Sequence, residues 1–240
     1  GCADSDNDKE SFNIVNGSVT GIVVRKSLFK LGAEVWSCAY SKDGQFIAGG
    51  SSAPGKEDNR YNTDGKLTLL EVLTGKVIFE KHHSKRVTSV CFSPCSQRVI
   101  SGCEDNFVRI FAVDGELLHE LKGHTRSVTS VSFSIDGQMI ASGGDHTLRL
   151  WSATSGEQQI CKFHHSGLVQ SIAFSHDSPT TLVASAASDG KISIFDAQAR
   201  RLVKDKKVYD YGLAGFYVGR SDYCCSFSPC NTKIVSGGAS

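Results

Sequence analysis

Proline, methionine, tryptophan and net charge are all scarce in this chain. Four prolines, one methionine and two tryptophans occur in 240 residues. Lysine and arginine total 26 against 25 aspartates and glutamates, a net charge of +1. So even a balance offers no global field to hold a nucleic-acid backbone or an anionic bilayer surface. Nucleic acid is therefore disfavoured as a partner, and no membrane association is expected. No apolar run approaches the roughly 20 residues that a spanning helix needs, and neither a signal-peptide pattern nor a lipidation motif is visible; a soluble chain is expected. The nine cysteines are odd in number and contain no C-x-x-C pair. Cys91 and Cys95 stand four apart, and Cys224 and Cys225 are adjacent. Neither spacing builds a structural zinc site. No metal site and no cofactor are expected; free thiols in a reducing compartment, cytoplasm or nucleus, are.

Glycine, at 24 residues, is abundant, and with so little proline this suits many short strands joined by tight turns. The chain repeats itself. Residues 82–111 (HHSKRVTSVCFSPCSQRVISGCEDNFVRIF), 123–151 (GHTRSVTSVSFSIDGQMIASGGDHTLRLW) and 164–195 (HHSGLVQSIAFSHDSPTTLVASAASDGKISIF) share one plan. A His precedes a Val by four residues, and an alternating apolar run then ends in Phe-Ser. A second run closes on small residues before an Asp, and a large aromatic follows six residues after that Asp. Phe92 to Phe133 and Phe133 to Phe174 are each 41 residues. Weaker copies occupy 34–50, continued by 64–72, and 221–238. Within each copy the apolar period is two, which predicts short strands, four per copy, and no amphipathic helix. Four strands in about 40 residues is the arithmetic of a propeller blade.

These copies resemble the WD-repeat (beta-transducin-like) propeller family, best in 123–151 with Gly123-His124, Ser142, Asp145 and Trp151. The resemblance spans nearly the whole chain. It implies an all-β, WD-repeat beta-propeller of four-stranded antiparallel blades. The blades would be 31–81, 82–122, 123–163 and 164–207, with partial blades at 1–30 and 208–240. The departures are specific. Phe111, Phe195 and Leu70 stand where Trp151 does, Leu31 and Val218 replace the His, and Ser152 replaces the Asp that Asp196 keeps. Gly1-Cys2-Ala3-Asp4 matches Gly102-Cys103-Glu104-Asp105, so the chain starts and stops at the same point of the cycle, with about five blades' worth of strands. This reads as a fragment of a seven-bladed ring. The alternative is a closed five-blade ring in which 222–238 and 16–30 share one blade.

His124, Ser142 and Asp145 could be set down as a hydrolase triad. The same trio recurs as His83, Ser101, Asp105 and as His165, Ser185, Asp189. An enzyme needs one such site, not three on successive blades, so no catalytic residue is assigned. The resemblance implies a structural network instead: Asp binds the His of a neighbouring loop, His reaches Ser, and Ser meets the Trp ring N–H. Phe in place of Trp shortens it. His82 and His164 read as solvent-facing neighbours of the network His rather than as metal ligands. Lys81, Lys85 and Arg86, and Arg200, Arg201 and Lys204, read as solvated basic clusters. Cys38 and Cys225 occupy the position of Val131 and read as apolar strand residues. Cys95 and Cys230 end Phe-Ser-Pro-Cys turns with no activating neighbour in sequence.

The copies differ most in three insertions. Two successive copies are each twelve residues longer between their second and third strands, roughly at 5–15 and 52–63, and the spacing before the last first strand is twelve residues longer too, around 208–220. In a meander blade those loops emerge at one end. The expected role is therefore a non-catalytic protein–protein interaction scaffold that docks other proteins or peptides on that rim. Candidate anchors are Arg60, Tyr61, Tyr209, Tyr211, Phe216, Tyr217 and Arg220. No small-molecule substrate is expected. The alternative, an enzyme or small-ligand binder at a central channel, would need polar residues unique to one blade.

Overall fold

Alternating apolar runs bounded by Gly, Asp, Ser and Asn form strands throughout the computed structural model, which describes residues 13–15, 18–21, 34–52, 64–176, 181–207 and 224–237. Two compact units are present, 1–30 and 31–240. In the first, β1 (Asn13–Val15) pairs antiparallel with β2 (Ser18–Gly21). Strand β1 thus takes up the last residues of segment 5–15, where the sequence suggested only an inserted loop.

The second unit is a succession of antiparallel meanders. Blade one is β3 (Glu34–Tyr40), β4 (Phe46–Ser52), β5 (Gly65–Glu71) and β6 (Val77–His83). Blade two is β7 (Val87–Phe92), β8 (Arg98–Cys103), β9 (Val108–Ala112) and β10 (Leu117–Leu121). Blade three is β11 (Val128–Phe133), β12 (Met139–Gly144), β13 (Thr147–Ser152) and β14 (Gln158–His164). Blade four is β15 (Val169–Phe174), β16 (Leu182–Ala187), β17 (Lys191–Asp196) and β18 (Arg201–Lys207). A last pair, β19 (Cys224–Phe227) and β20 (Ile234–Gly237), forms a two-stranded sheet. Every four-stranded sheet runs in chain order, and no helix occurs among the described residues.

The core lies between sheets. Leu67 and Leu69 of blade one are sealed by Val87, Val90 and Phe92 of blade two, and Leu148 and Leu150 of blade three by Val169, Ile172 and Phe174 of blade four. At three of the seams the first strand approaches a glycine of the preceding sheet, Gly50, Gly102 or Gly143, and at the fourth an alanine, Ala186. A Cβ on Gly102 would lie 2.8 Å from Val128 Cγ1 and 2.9 Å from Val131 Cγ1. Hydroxyls then stitch the inner strands together. Ser37, Ser89, Ser130 and Ser171 accept hydrogen bonds from the backbone N–H of Val90, Val131, Ile172 and Cys225. Thr88 and Thr129 donate across the same seams to the carbonyls of Val128 and Val169, both at 2.6 Å. Each first strand therefore has one face for the sheet before it and one for the sheet after.

Candidate functional site

The polar networks sit where the loop entering a blade meets the turn between its second and third strands. In blade three the chain of bonds is complete. Trp151 Nε1–H donates to Ser142 Oγ at 2.7 Å, the Ser142 hydroxyl donates to His124 Nε2 at 2.7 Å, and His124 Nδ1–H donates to Asp145 at 2.8 Å. Asp145 also accepts from the Thr125 N–H (2.7 Å) and hydroxyl (2.8 Å) and from the Thr147 hydroxyl. Burial by itself would raise the Asp145 carboxyl. The bonds from Thr147, Thr125 and His124 outweigh it and hold the group well below the ordinary carboxylate range. His124, Ser142, Asp145 and Trp151 are all buried.

The other copies keep only part of this chain, and the sequence expectation needs correction there. His83 and Ser101 join at 2.9 Å, but His83 Nδ1 faces the carbonyl of Lys81 (3.1 Å) instead of Asp105. Asp105 is drawn away. It accepts from the Ser84 hydroxyl and the Phe107 N–H, and its carboxylate lies 2.9 Å from Arg109 Nη1, an ion-pair distance without hydrogen-bond alignment. Burial, reinforced by the Arg109 charge, pushes His83 down to about 4. In blade four, His165 joins Ser185 at 2.7 Å, while its Nδ1 stays 3.6 Å from Asp189, an electrostatic contact too long for a hydrogen bond. Asp189 instead caps the Ser166 N–H and hydroxyl. In blade one the register puts Gly49 where Ser101, Ser142 and Ser185 stand, so the network has no central hydroxyl there. Phe111 and Phe195 lie beside His83 and His165 as Trp151 lies beside His124, and Leu70 fills the same register position in blade one.

None of these serines can act as a nucleophile as placed. Ser101, Ser142 and Ser185 are fully buried, and in blade three both the proton and the oxygen are already committed. Among the described residues no group of three or more His, Cys, Asp or Glu is arranged to hold a metal ion. His82 and His164 are exposed.

The anchors expected on the rim, Arg60, Tyr61, Tyr209, Tyr211, Phe216, Tyr217 and Arg220, lie outside the described residues. The end of the molecule to which their loops belong is described. At that end the loop entering a blade touches the turn between its second and third strands, as Ser84 touches Asp105, Thr125 Asp145 and Ser166 Asp189. Trp36 is there too, and sequence reasoning passed over it. Its indole N–H donates to Ser52 (3.3 Å), at the foot of segment 52–63. The Arg86 guanidinium stacks 3.9 Å above its ring and reaches Glu104 at 3.6 Å. The ring still leaves Trp36 40% exposed. The usable signal was register: Thr88, Thr129 and Gln170 occupy this place in the other blades.

Two depressions are lined by described residues. One, of about 280 Å³, gathers Tyr40, Phe92, Phe133 and Phe174 from four successive inner strands at the opposite end. The other, of about 520 Å³, lies between Ile192 and Ile194 of blade four and Phe227 and Ile234 of the last pair. Ile192 and Ile194 match Leu148 and Leu150, which a complete neighbouring blade covers. That cleft is therefore a partly covered blade face. Two cysteine readings also change. Cys38 is exposed although Cys225, at the same register position, is buried. Cys230 does have activating neighbours: Ser228 and Thr232 hold its exposed thiol down at about 7.

The family model for the WD domain, G-beta repeat (WD40), matches four segments, 25–59, 75–111, 115–152 and 157–196, more than half of the chain. Segments 75–111, 115–152 and 157–196 each take the fourth strand of one sheet and the first three of the next, so each of these three repeats ties two blades together.

Proposed function

From the chain's membership of the WD domain, G-beta repeat family, whose repeats generally mediate protein–protein interaction, we propose that it is a non-catalytic scaffold. It docks partner proteins or peptides on the end that carries Trp36 and the loops 52–63 and 208–220. The observation that carries this reading is the recurrence of the buried His–Ser pair in three blades at one register. It makes these catalytic-looking residues part of the fold and leaves the loops as the variable surface. The contacts of Ser84, Thr125 and Ser166 with the Asp turns support placing the two kinds of loop at one end. Trp36 joins Tyr211 and Phe216 as an anchor, since large aromatics close to a rigid sheet lose little entropy on binding. Among the described residues no helix is long and apolar enough to cross a membrane. Cys38, Cys91, Cys95, Cys103, Cys224, Cys225 and Cys230 are free thiols, which supports a reducing compartment such as cytoplasm or nucleus.

The test is affinity capture from cell extract with the wild-type chain and the variants Trp36→Ala, Tyr211→Ala and Phe216→Ala, matched for thermal stability. At least one variant is expected to weaken capture by about 2 kcal/mol. Equal recovery by all three, and by a chain lacking 52–63, would move the interface away from this end.

A further inference from the structure

The loop-bearing end of blades two to four sorts charge by sign. Each turn between a second and a third strand carries an Asp that the entering loop takes up. Asp105 accepts from the Ser84 hydroxyl, Asp145 from the Thr125 N–H and Asp189 from the Ser166 N–H. The basic side chains of the same loops are left to solvent. Lys85 and Arg126 hold one place in the repeat, two residues before Val87 and Val128, and both are exposed. Among the described residues neither side chain makes an ion pair, and Arg86 meets Glu104 at 3.6 Å, beyond hydrogen-bond reach. Other arginines of these blades are committed. Arg98 donates to the Ala153 carbonyl, Arg109 to Glu120 and Arg149 to Gln158.

The two basic loops adjoin. Thr88, three residues past Lys85, donates to the carbonyl of Val128, two past Arg126, at 2.6 Å. The strip they form is bounded on both sides. Toward blade four, Gly167 and Leu168 stand where Lys85 and Arg86 do. Toward blade one, Glu34 and Asp64 are exposed carboxylates, so the positive charge stops there. At that border lies the 40% exposed Trp36, with Arg86 stacked on its ring at 3.9 Å. Lys122, also in the second loop, is matched by Glu120 at 3.4 Å. Stacked sheets lie about 10 Å apart, a span that an extended chain covers in about three residues. Cations held one blade apart suit single charges spaced along a peptide. A phosphate is better met by donors that converge on one point.

We propose that the partner docked at this end is an extended acidic peptide. Two carboxylates about three residues apart pair with Lys85 and Arg126, and an apolar residue about three further along, on the blade-one side, packs on Trp36. Arg86, held in the stack, keeps the Trp36 ring in place and adds to the positive field. This rests on the reading that the end is a docking surface and supplies the chemistry of what docks there. Exposed ion pairs are individually weak and screened by salt, so the binding falls as ionic strength rises.

The experiment titrates the full chain into rhodamine-labelled peptides and follows fluorescence anisotropy at low salt. The main probe carries a Phe and two Glu at three-residue intervals and is made in both chain directions. Control probes replace the Glu residues by Gln, by Lys or by one phosphoserine, and a single-stranded DNA of similar length serves as a general polyanion. The Glu probe is expected to bind, and the Gln probe to bind about tenfold or more weakly. Lys85→Glu and Arg126→Glu together are expected to weaken the Glu probe about tenfold or more at unchanged melting temperature and to favour the Lys probe instead. A Glu probe that does not bind, equal binding of the Gln probe, tighter binding of the phosphoserine probe or the DNA, or indifference to the charge reversals would each overturn the proposal. Capture from extract keeps this failure apart from failure of the docking end. If Trp36→Ala and deletion of 52–63 weaken capture while the charge reversals leave the Glu probe unaffected, the end docks a partner of another chemistry.

Discussion

Asp145 and Asp105 hold the same place in the repeat and differ in what depends on them. Removing the Asp145 carboxylate takes away the acceptor of the buried His124 ring N–H and of the Thr125 N–H. Asp145→Ala is therefore expected to destabilise the chain by about 1–3 kcal/mol in urea unfolding. Asp105→Ala should cost less, because His83 keeps its bonds to Lys81 and Ser101 without it. His83 also makes stability depend on pH. Its folded value, about 4, lies below the ordinary 6.5, so the unfolded chain takes up the proton first as pH falls. Its contribution is complete above pH 6.5, declines between 6.5 and 4 and flattens below, by at most about 3 kcal/mol at ~1.36 kcal/mol per unit. His165, lowered chiefly by burial against the pull of Asp189, acts in the same direction. The slope of unfolding free energy between pH 6.5 and 4 should shrink in His83→Gln. A slope identical to wild type would show that His83 does not control it.

Strands contribute to this protein as members of seams more than as members of sheets. The Ser130 hydroxyl gives the Ile172 N–H its acceptor, and Gly143 lets Val169 and Ile172 approach; a Cβ there would lie 2.6 Å from Val169 Cγ1. Ser130→Ala is expected to cost about 1–2 kcal/mol by leaving a partly buried N–H unpaired. Gly143→Val should cost more, about 1–3 kcal/mol through overpacking. Both are read from denaturant midpoints. If Gly143→Val leaves the midpoint unchanged, the seam is looser than the contacts require. The turns between first and second strands show how local conformation is adapted to the same end. Gly137 takes a positive φ of 68° at no steric cost, whereas Ser96 takes 60° there and its hydroxyl accepts the N–H of Asp43 from the neighbouring blade.

Across the whole molecule, position in the series decides what a given residue is worth. Val235 and Ala141 share a register, yet one is largely exposed and the other fully buried. Val235→Asp should change the melting temperature of the chain little, within about 0.5 kcal/mol, as at an ordinary surface site. Ala141→Asp places an unpaired carboxylate between blades three and four and should prevent cooperative folding. Circular dichroism melts of the two variants make the comparison. Equal effects would mean that the β19–β20 face is covered as thoroughly as an internal seam.

Strands, turns, blade plan and the repeated His–Ser pairs were legible in the sequence, because each depends on local alternation or on a short span that recurs every 41 residues. The same recurrence identified Cys38 and Cys225 as one position and Leu70, Phe111, Trp151 and Phe195 as another. What the repeat could not determine was anything set by a neighbour outside the copy. Arg109 turns Asp105 away from His83, and Ser228 and Thr232 bring down the Cys230 thiol. Arg86 pins Trp36 at the foot of an insertion, and Cys225, seated against Ser171, is buried while Cys38 at the same register is exposed. Hydrogen bonds and ion pairs between loops depend on ångström-scale distances that no spacing in the chain encodes. Burial depends on which sheet lies against which, so the tertiary structure alone decided these four.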